Sequence, residues 1–203
     1  MTSRKKFVVD EDVLVDPMAD HARFDGIELR TDSFRDPRYD RVLPILLEEQ
    51  VFMCRRMRPT IEALRNREGR GLQVLDVGCG SGVLAIYLDR LLNGDLLAGG
   101  ADDEKKLSGV IALDVSSRAA EFTRENAAAN QCRSMRVVCE PYTIESVPLA
   151  SQDAILINPP FHPVHGHWAS RVALHGAAGN DGLGVFRQWL NPIAHHLRLH
   201  GVL

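Results

Sequence analysis

The stretch of this chain best suited to chemistry is Asn158-Pro-Pro-Phe161. It follows Asp153-Ala-Ile-Leu-Ile157, an apolar run of strand length. Two prolines directly after a strand stop its ladder and fix the backbone. Asn158, which precedes a proline, is pushed to an extended conformation. Its side-chain oxygen can then point outward as a hydrogen-bond acceptor, with the Pro159 carbonyl as a second acceptor beside it. Two acceptors converging on one point suit an NH₂ group, and Phe161 offers a flat surface for a planar partner. An exocyclic amine or amide nitrogen is a poor nucleophile, because its lone pair is delocalised into the π system. Holding both of its N–H groups would localise electron density on the nitrogen and aim the lone pair, so orientation would supply much of the rate. The plain alternative is a turn with a capping asparagine.

A second constellation lies upstream. Val74 to Val77 reads as a short buried strand, and glycines follow at alternate positions, Gly78, Gly80 and Gly82. Val83-Leu-Ala-Ile-Tyr-Leu88 then has apolar residues at helical spacing. Strand, glycine turn and helix open a nucleotide-binding βαβ unit. The dinucleotide fingerprint fails, because its third glycine position falls on Val83. A phosphate-binding loop needs a Lys-Ser/Thr pair after the glycines, and there is none. What remains is Asp76-x-Gly78-x-Gly80-x-Gly82, with Cys79 as a small residue in the turn. A second buried strand, Val110-Ile-Ala-Leu-Asp114, ends in an acid 32 residues after Gly82. In such folds that acid accepts hydrogen bonds from ribose hydroxyls, usually about 20 residues on. An exposed, Gly/Asp/Lys-rich insertion at 93–109 explains the excess. Asp114 could also simply cap the next helix.

The two constellations together resemble the class I S-adenosylmethionine-dependent methyltransferases. Within them the resemblance is to the amino-methyltransferase branch, whose signature is Asn/Asp/Ser-Pro-Pro-Tyr/Phe. It covers about 71–203 and implies that the glycine loop cradles the methionine and ribose of S-adenosylmethionine. The implied cofactor contacts are Asp76, Gly78, Cys79, Gly80, Gly82, Asp114, Val115, Glu140 and Asn158. The implied catalytic set is Asn158, Pro159 and Phe161, with the lone pair of the acceptor nitrogen aimed at the sulfonium methyl and no metal required. Members act on adenine N6, guanine N2 or the glutamine amide of release factors, so the expected partner is RNA or a release-factor-like protein. Asn-Pro-Pro-Phe-His162 is similar to the ribosomal RNA guanine-N2 enzymes of the methyltransferase small domain group. Gly179-Asn-Asp-Gly-Leu183, and more faintly Phe24-x-Gly26, are similar to the release-factor glutamine enzymes, which normally have Tyr at position 161.

The rest of the chain must position these residues. The expected fold is α/β: a doubly wound, Rossmann-like methyltransferase fold with a mostly parallel sheet, apparently truncated at the start of its fifth strand near 200–203. A sheet cut there would expose an edge and favour reduced stability or self-association. A lead-in at 1–70 is expected before the cofactor-binding domain at 71–203. In the lead-in, residues 1 to about 22 read as a tail, Phe24 to Arg30 as a small hairpin or strand, and 41–67 as a helix with Pro44 in its first turn and a break or kink at Pro59. Ser116–Asn130 and 186–199 read as helices and Met135–Cys139 as a third strand.

Of 203 residues, 45% are hydrophobic, ample for a core, and the net charge of −3 advertises no broad basic field for nucleic acid. An arginine cluster from Arg55 to Arg70 is read as a solvated helix face. Four cysteines without metal spacing fit reduced thiols of a cytoplasmic protein, and neither a signal peptide nor a membrane span is visible. His162, His165 and His167 lack the Cys or carboxylate partners of a zinc site and read as a surface or substrate-facing loop, with Trp168 and Arg171 as possible substrate holders. Two rivals stand beside the methyltransferase reading: an inactive cofactor- or RNA-binding remnant, and a nicotinamide-dependent oxidoreductase, which Val83 argues against.

Overall fold

A computed structural model describes residues 13–94, 107–166, 168 and 172–203. Short strands β1 (Leu14–Val15), β2 (His21–Phe24) and β3 (Ile27–Arg30) form an antiparallel sheet. Asp25 and Gly26, both at positive φ (49° and 73°), turn β2 into β3. The expected tail therefore ends earlier than about 22, because Leu14 and Val15 pair with Arg23 and Ala22; residues 1–12 lie outside the described ones.

The helix expected from 41 begins later. Residues 41–46 carry no helical assignment, and a π-turn over Leu47–Val51 leads into α1 (Phe52–Glu68). Pro44 disfavours helical backbone at Leu43. The N–H groups of Val42 and Leu46 go to side chains, to Asp32 Oδ2 (2.8 Å) and Gln50 Oε1 (2.9 Å), instead of to a helical turn. Pro59 does not break α1, which runs through it to Gly69, a left-handed C-cap at φ 63°.

The main sheet holds β4 (Gln73–Val77), β5 (Gly109–Asp114), β6 (Met135–Cys139), β7 (Gln152–Ile157) and β8 (Leu197–Val202) in the order β6-β5-β4-β7-β8, all parallel. Helices α2 (Val83–Asn93), α3 (Ser117–Ala129) and α4 (Gly184–His196) connect them. Ser116 caps α3 by accepting from the Ala119 N–H. The last strand starts at Leu197, not 200, since α4 ends at His196. The expected insertion falls largely on 95–106, outside the described residues. After β6 the chain returns to the other side of β4, so the strand order reverses between β4 and its neighbours. That is the switch point at which open α/β sheets bind ligands, beyond the carboxyl ends of the strands.

The small sheet packs onto this layer. Phe24, Ile27, Ile45 and Val51 share a buried cluster with Val83, Leu84, Ile86 and Tyr87. Asn126 of α3 and Asn130, which caps its C-terminus, stand in for a strand along β3. Asn126 accepts from the Arg30 N–H (2.7 Å) and donates to its carbonyl (2.8 Å), and Asn130 does the same for Glu28 (3.1 and 2.6 Å). Three of the five arginines of α1 are in ion pairs with described residues: Arg55 with Asp25, Arg58 with Glu62 and Arg67 with Glu68. Among the described residues no helix is long and apolar enough to cross a membrane.

Candidate active site

The turn after β4 is tied down by its neighbours. The N–H groups of Gly78 and Cys79 both donate to the Leu113 carbonyl (2.8 and 3.1 Å), and Gly80 N–H donates to Asp114 Oδ2 (2.9 Å). Thr123 of α3 donates to the Gly80 carbonyl (3.0 Å). Gly82 precedes α2 at φ 82°, and a Cβ there would lie 2.8 Å from the Thr123 methyl, so glycine is needed for both conformation and space. A Cβ at Gly78 would lie 2.9 Å from the Trp189 ring.

Two carboxylates stand at the strand ends. Asp114 accepts from Gly80 and, at 2.9 Å, from the Ser116 N–H. Burial raises its pKa against those bonds. Asp76 is 1% exposed. Its Oδ2 accepts from the Ala85 N–H (3.1 Å), and its Oδ1 has no partner among the described residues. Burial, only partly offset by that N–H, pushes the carboxyl up to about 7. Cys79 is buried against Thr123, and burial holds its thiol well above the usual range, unlike an activated nucleophile.

These groups open on one cavity of about 320 Å³, within the range of small-molecule sites. Asp76, Gly78, Cys79, Gly80, Asp114, Val115 and Asn158, all singled out from the sequence, line it. Gly82 sits one turn away, beneath Thr123. Glu140 stands off the lining, with its N–H on the Asp114 carbonyl (3.0 Å); Pro141 and Tyr142 line the wall instead. Pro160, not Pro159, lines the cavity beside Asn158. Phe161 is 55% exposed outside it, its ring 4.7 Å from that of His162.

The loop after Phe161 is held by the segment that follows. His162 N–H donates to the Gly176 carbonyl (3.0 Å), and Val164 N–H to that of Gly179 (2.8 Å). Gly182, at φ 77°, lies so close that a Cβ would sit 2.4 Å from the Phe161 carbonyl oxygen. The glycine-rich stretch at 179–183 therefore has a packing role beside the motif. His167 and Arg171 lie outside the described residues; Trp168 is 47% exposed. Among the described residues no three His, Cys, Asp or Glu side chains converge as a metal site.

Several lining residues were not visible in the sequence. Arg41, Val42, Leu43, Ile45 and Gln50 come from the lead-in, and His175, Gln188 and Trp189 from beyond β7. Asp32, 4% exposed, anchors the lead-in. Burial would raise its carboxyl, but a bidentate pair with Arg118 (2.8 and 2.5 Å) and the Val42 N–H hold it below its ordinary value. Asn158 itself donates through Nδ2 to Glu49 Oε1 at 2.7 Å. The signal that could have flagged these residues is weak: a polar Glu-Glu-Gln run inside an otherwise apolar helical pattern.

No curated protein matches the chain. Among solved structures, a precorrin-6y C5,15-methyltransferase from Geobacter metallireducens is 16% identical (TM-score 0.42; 66% of this chain, 52% of that one). A ribosomal protein L11 methylase from Lactobacillus delbrueckii is 20% identical (TM-score 0.42; 70% and 54%). Trm5b from Pyrococcus abyssi is 19% identical (TM-score 0.44; 73% and 33%). The chain spans about half or less of the length of these proteins, and likenesses this distant carry no activity or substrate to it. The family comparison is stronger, because the model of the methyltransferase small domain matches residues 58–175, more than half of the chain. The chain thus belongs to the methyltransferase small domain family, within the class I S-adenosylmethionine-dependent methyltransferases.

Proposed function

We propose that this chain binds S-adenosylmethionine over the ends of β4 and β5 and transfers its methyl group to a planar amino or amide nitrogen held at Asn158. The acceptor is an exocyclic nucleobase amine in RNA, at guanine N2 or adenine N6, or a glutamine side chain of a release-factor-like protein. A cytoplasmic setting goes with either. One observation carries the reading: Asp76, Asp114 and Asn158, at the carboxyl ends of three neighbouring strands, open on a single cavity.

The cavity's chemistry fits that cofactor. A buried carboxylate oxygen without a partner, on Asp76, suits a ligand that brings N–H donors and positive charge. Asp114 keeps spare acceptor capacity toward vicinal hydroxyls. Trp189 and Tyr142, in edge-to-face contact at 6.3 Å, give an aromatic wall for a flat base. Bare glycine backbone at Gly78 leaves no side chain in the way.

When bound, the cofactor supplies an electrophilic sulfonium methyl. The chain's own residues do the rest. Asn158 Oδ1 and the Pro159 carbonyl accept the two N–H bonds of the acceptor nitrogen, drawing its lone pair out of the π system and fixing its direction. The two prolines keep those acceptors from moving, and the exposed face of Phe161 supports the plane of the acceptor.

Calorimetric titration with S-adenosylhomocysteine, beside NADH and the variant Asp114→Ala, tests the first half. S-adenosylhomocysteine should bind, NADH should not, and the substitution should weaken binding about tenfold or more. Binding of NADH alone, or of neither ligand, would overturn the reading. Labelled methyl donor with guanosine- and adenosine-containing RNA oligonucleotides and a glutamine peptide then separates the acceptors.

A further inference from the structure

We infer that Glu49 is a positioning residue, which locks the Asn158 amide with its oxygen toward the acceptor. The inference rests on the proposed reading for what Asn158 does, but the lock itself is a property of the chain. An asparagine amide can sit in two orientations, and only one presents an acceptor to an NH₂ group. The chemistry around Asn158 decides between them, because Glu49 Oε1 lies 2.7 Å away and a carboxylate can only accept. The atom facing Glu49 must be Nδ2, which leaves Oδ1 as the free end.

The polarity continues backward. Gln50, 4% exposed, accepts the Leu46 backbone N–H on its Oε1 (2.9 Å). A backbone N–H can only donate, so Gln50 is also fixed, and its Nε2 donates to the same Glu49 Oε1 (3.1 Å). The Leu46 N–H and Gln50 therefore form a directed chain that ends on Glu49 Oε1, where the Asn158 amide also donates, so two fixed donors converge on one acceptor that cannot donate. The π-turn makes it reachable. The Val51 N–H bonds back to the Leu46 carbonyl across five residues (3.3 Å), in the turn that carries Glu49 to Asn158 and Gln50 to the cavity wall. Insertions of this kind cluster at functional positions in helices. The arrangement spends a charged side chain on a partner 109 residues away.

The test uses the full chain labelled with ¹⁵N-asparagine, the Asn158 side-chain NH₂ pair being assigned by its loss in Asn158→Asp. Glu49→Ala should shift that pair and speed its exchange with water about tenfold or more, as expected for losing a hydrogen bond to a charged group. Glu48→Ala, an exposed neighbour, should leave it unchanged. An Asn158 pair indifferent to Glu49→Ala would overturn the inference, whether or not the chain methylates anything. Where turnover is found on one of the RNA or peptide probes, Glu49→Ala should lower kcat about 10- to 100-fold. Binding of S-adenosylhomocysteine should be unchanged, and Glu49→Gln, which keeps an acceptor oxygen, should recover most of the rate. The double variant Glu49→Ala/Asn158→Ala should be no slower than Asn158→Ala alone. Additive losses, or a Glu49→Gln as slow as Glu49→Ala, would refute the positioning role. Absence of any turnover in the parent chain would instead count against the proposed function.

Discussion

Asp76 on β4 and Asp153 on the adjacent β7 are both buried, at 1% and 3% exposure, and they are treated in opposite ways. Asp153 sits at the start of its strand and receives four donors. Arg70 grips it twice (2.7 and 2.8 Å), and Arg198 (2.9 Å) and the Gln73 N–H (2.8 Å) complete the set. Burial would raise its carboxyl, but Arg70, Gln73 and Arg198 together hold it below the ordinary value. Asp76 sits toward the end of its strand and has one donor, the Ala85 N–H. Its pKa goes the other way, up to about 7. The Asp153 carboxylate at the amino end of β7 is thus satisfied by the chain itself, although Gln152 beside it keeps a buried Oε1 without a partner among the described residues, while Asp76 near the carboxyl end of β4 keeps a carboxylate oxygen unspent. In a buried sheet an unsatisfied carboxylate is costly, and its persistence marks the end of the sheet that meets a ligand.

The sharpest way to break this comparison is to remove one polar group from each end. Asn158→Ala should lower methyl transfer by about 10²- to 10³-fold, the usual loss when one preorganised polar contact to the reacting group is removed. Its melting temperature should stay within a few degrees of the parent. Asp153→Asn should do the reverse. It leaves Arg70 and Arg198 without their shared anion and should cost roughly 2–4 kcal/mol in chemical denaturation, while binding of S-adenosylhomocysteine by the folded fraction is unchanged. If Asn158→Ala unfolds the chain, or Asp153→Asn abolishes ligand binding at temperatures where it is folded, the division between the two ends is wrong.

Much of the carboxyl end was legible in the sequence for a local reason. Asp76, the three glycines, Asp114 and Asn158 each lie at or within a few residues of a strand's end, so short spacing reports where they stand. Strands β4 to β7 could be read from apolar runs to within one residue, whereas β8 begins three residues before the expected start and β1 lies in the expected tail. Trp189, His175, Arg41 and Gln50 reach the same cavity only through tertiary packing, and no local pattern encodes that. The amino end was opaque for the same reason: Asp153 lay in a predicted strand, but its partner Arg70 is 83 residues away. Glu140 shows how little a strand end says by itself. It ends a strand as Asp76 and Asp114 do, yet Pro141 and Tyr142 are what line the wall.

The two carboxyls should also give opposite pH signatures. Asp76 holds its proton more tightly in the folded chain than its ordinary 3.8. Its contribution to stability is therefore full below about 4 and is lost as pH rises through about 7. Asp153 is depressed, so its contribution is full above its ordinary value and is lost as pH falls through the lowered one. Asp76→Asn should remove the first slope. At pH 8 it should stabilise the ligand-free chain by roughly 1–2 kcal/mol, less than the full shift implies, because an amide still buries polar atoms. The same variant should weaken S-adenosylhomocysteine binding. Melting curves from pH 5 to 8 check the first expectation and calorimetry the second; a gain in stability without loss of binding would separate Asp76 from the ligand.

The smallest effect is expected at Arg198, and it probes whether the amino-end network is one unit. Arg198 is about one-third exposed and lies on the edge strand β8, where it reaches both Asp153 and the Ala150 carbonyl (3.2 Å). Removing it leaves Asp153 still gripped by Arg70 and Gln73, so the buried carboxylate does not lose its charge partner. Arg198→Ala should therefore cost no more than about 1 kcal/mol, the scale of a solvent-exposed pair. In the background of Asp153→Asn it should cost less still, because its anion is gone. A double-mutant cycle by urea denaturation reads that difference directly. A coupling near zero would mean that Arg198 works through Ala150 and the strand edge alone, and that two residues, Arg70 and Gln73, are enough to settle a buried aspartate at this end of the sheet.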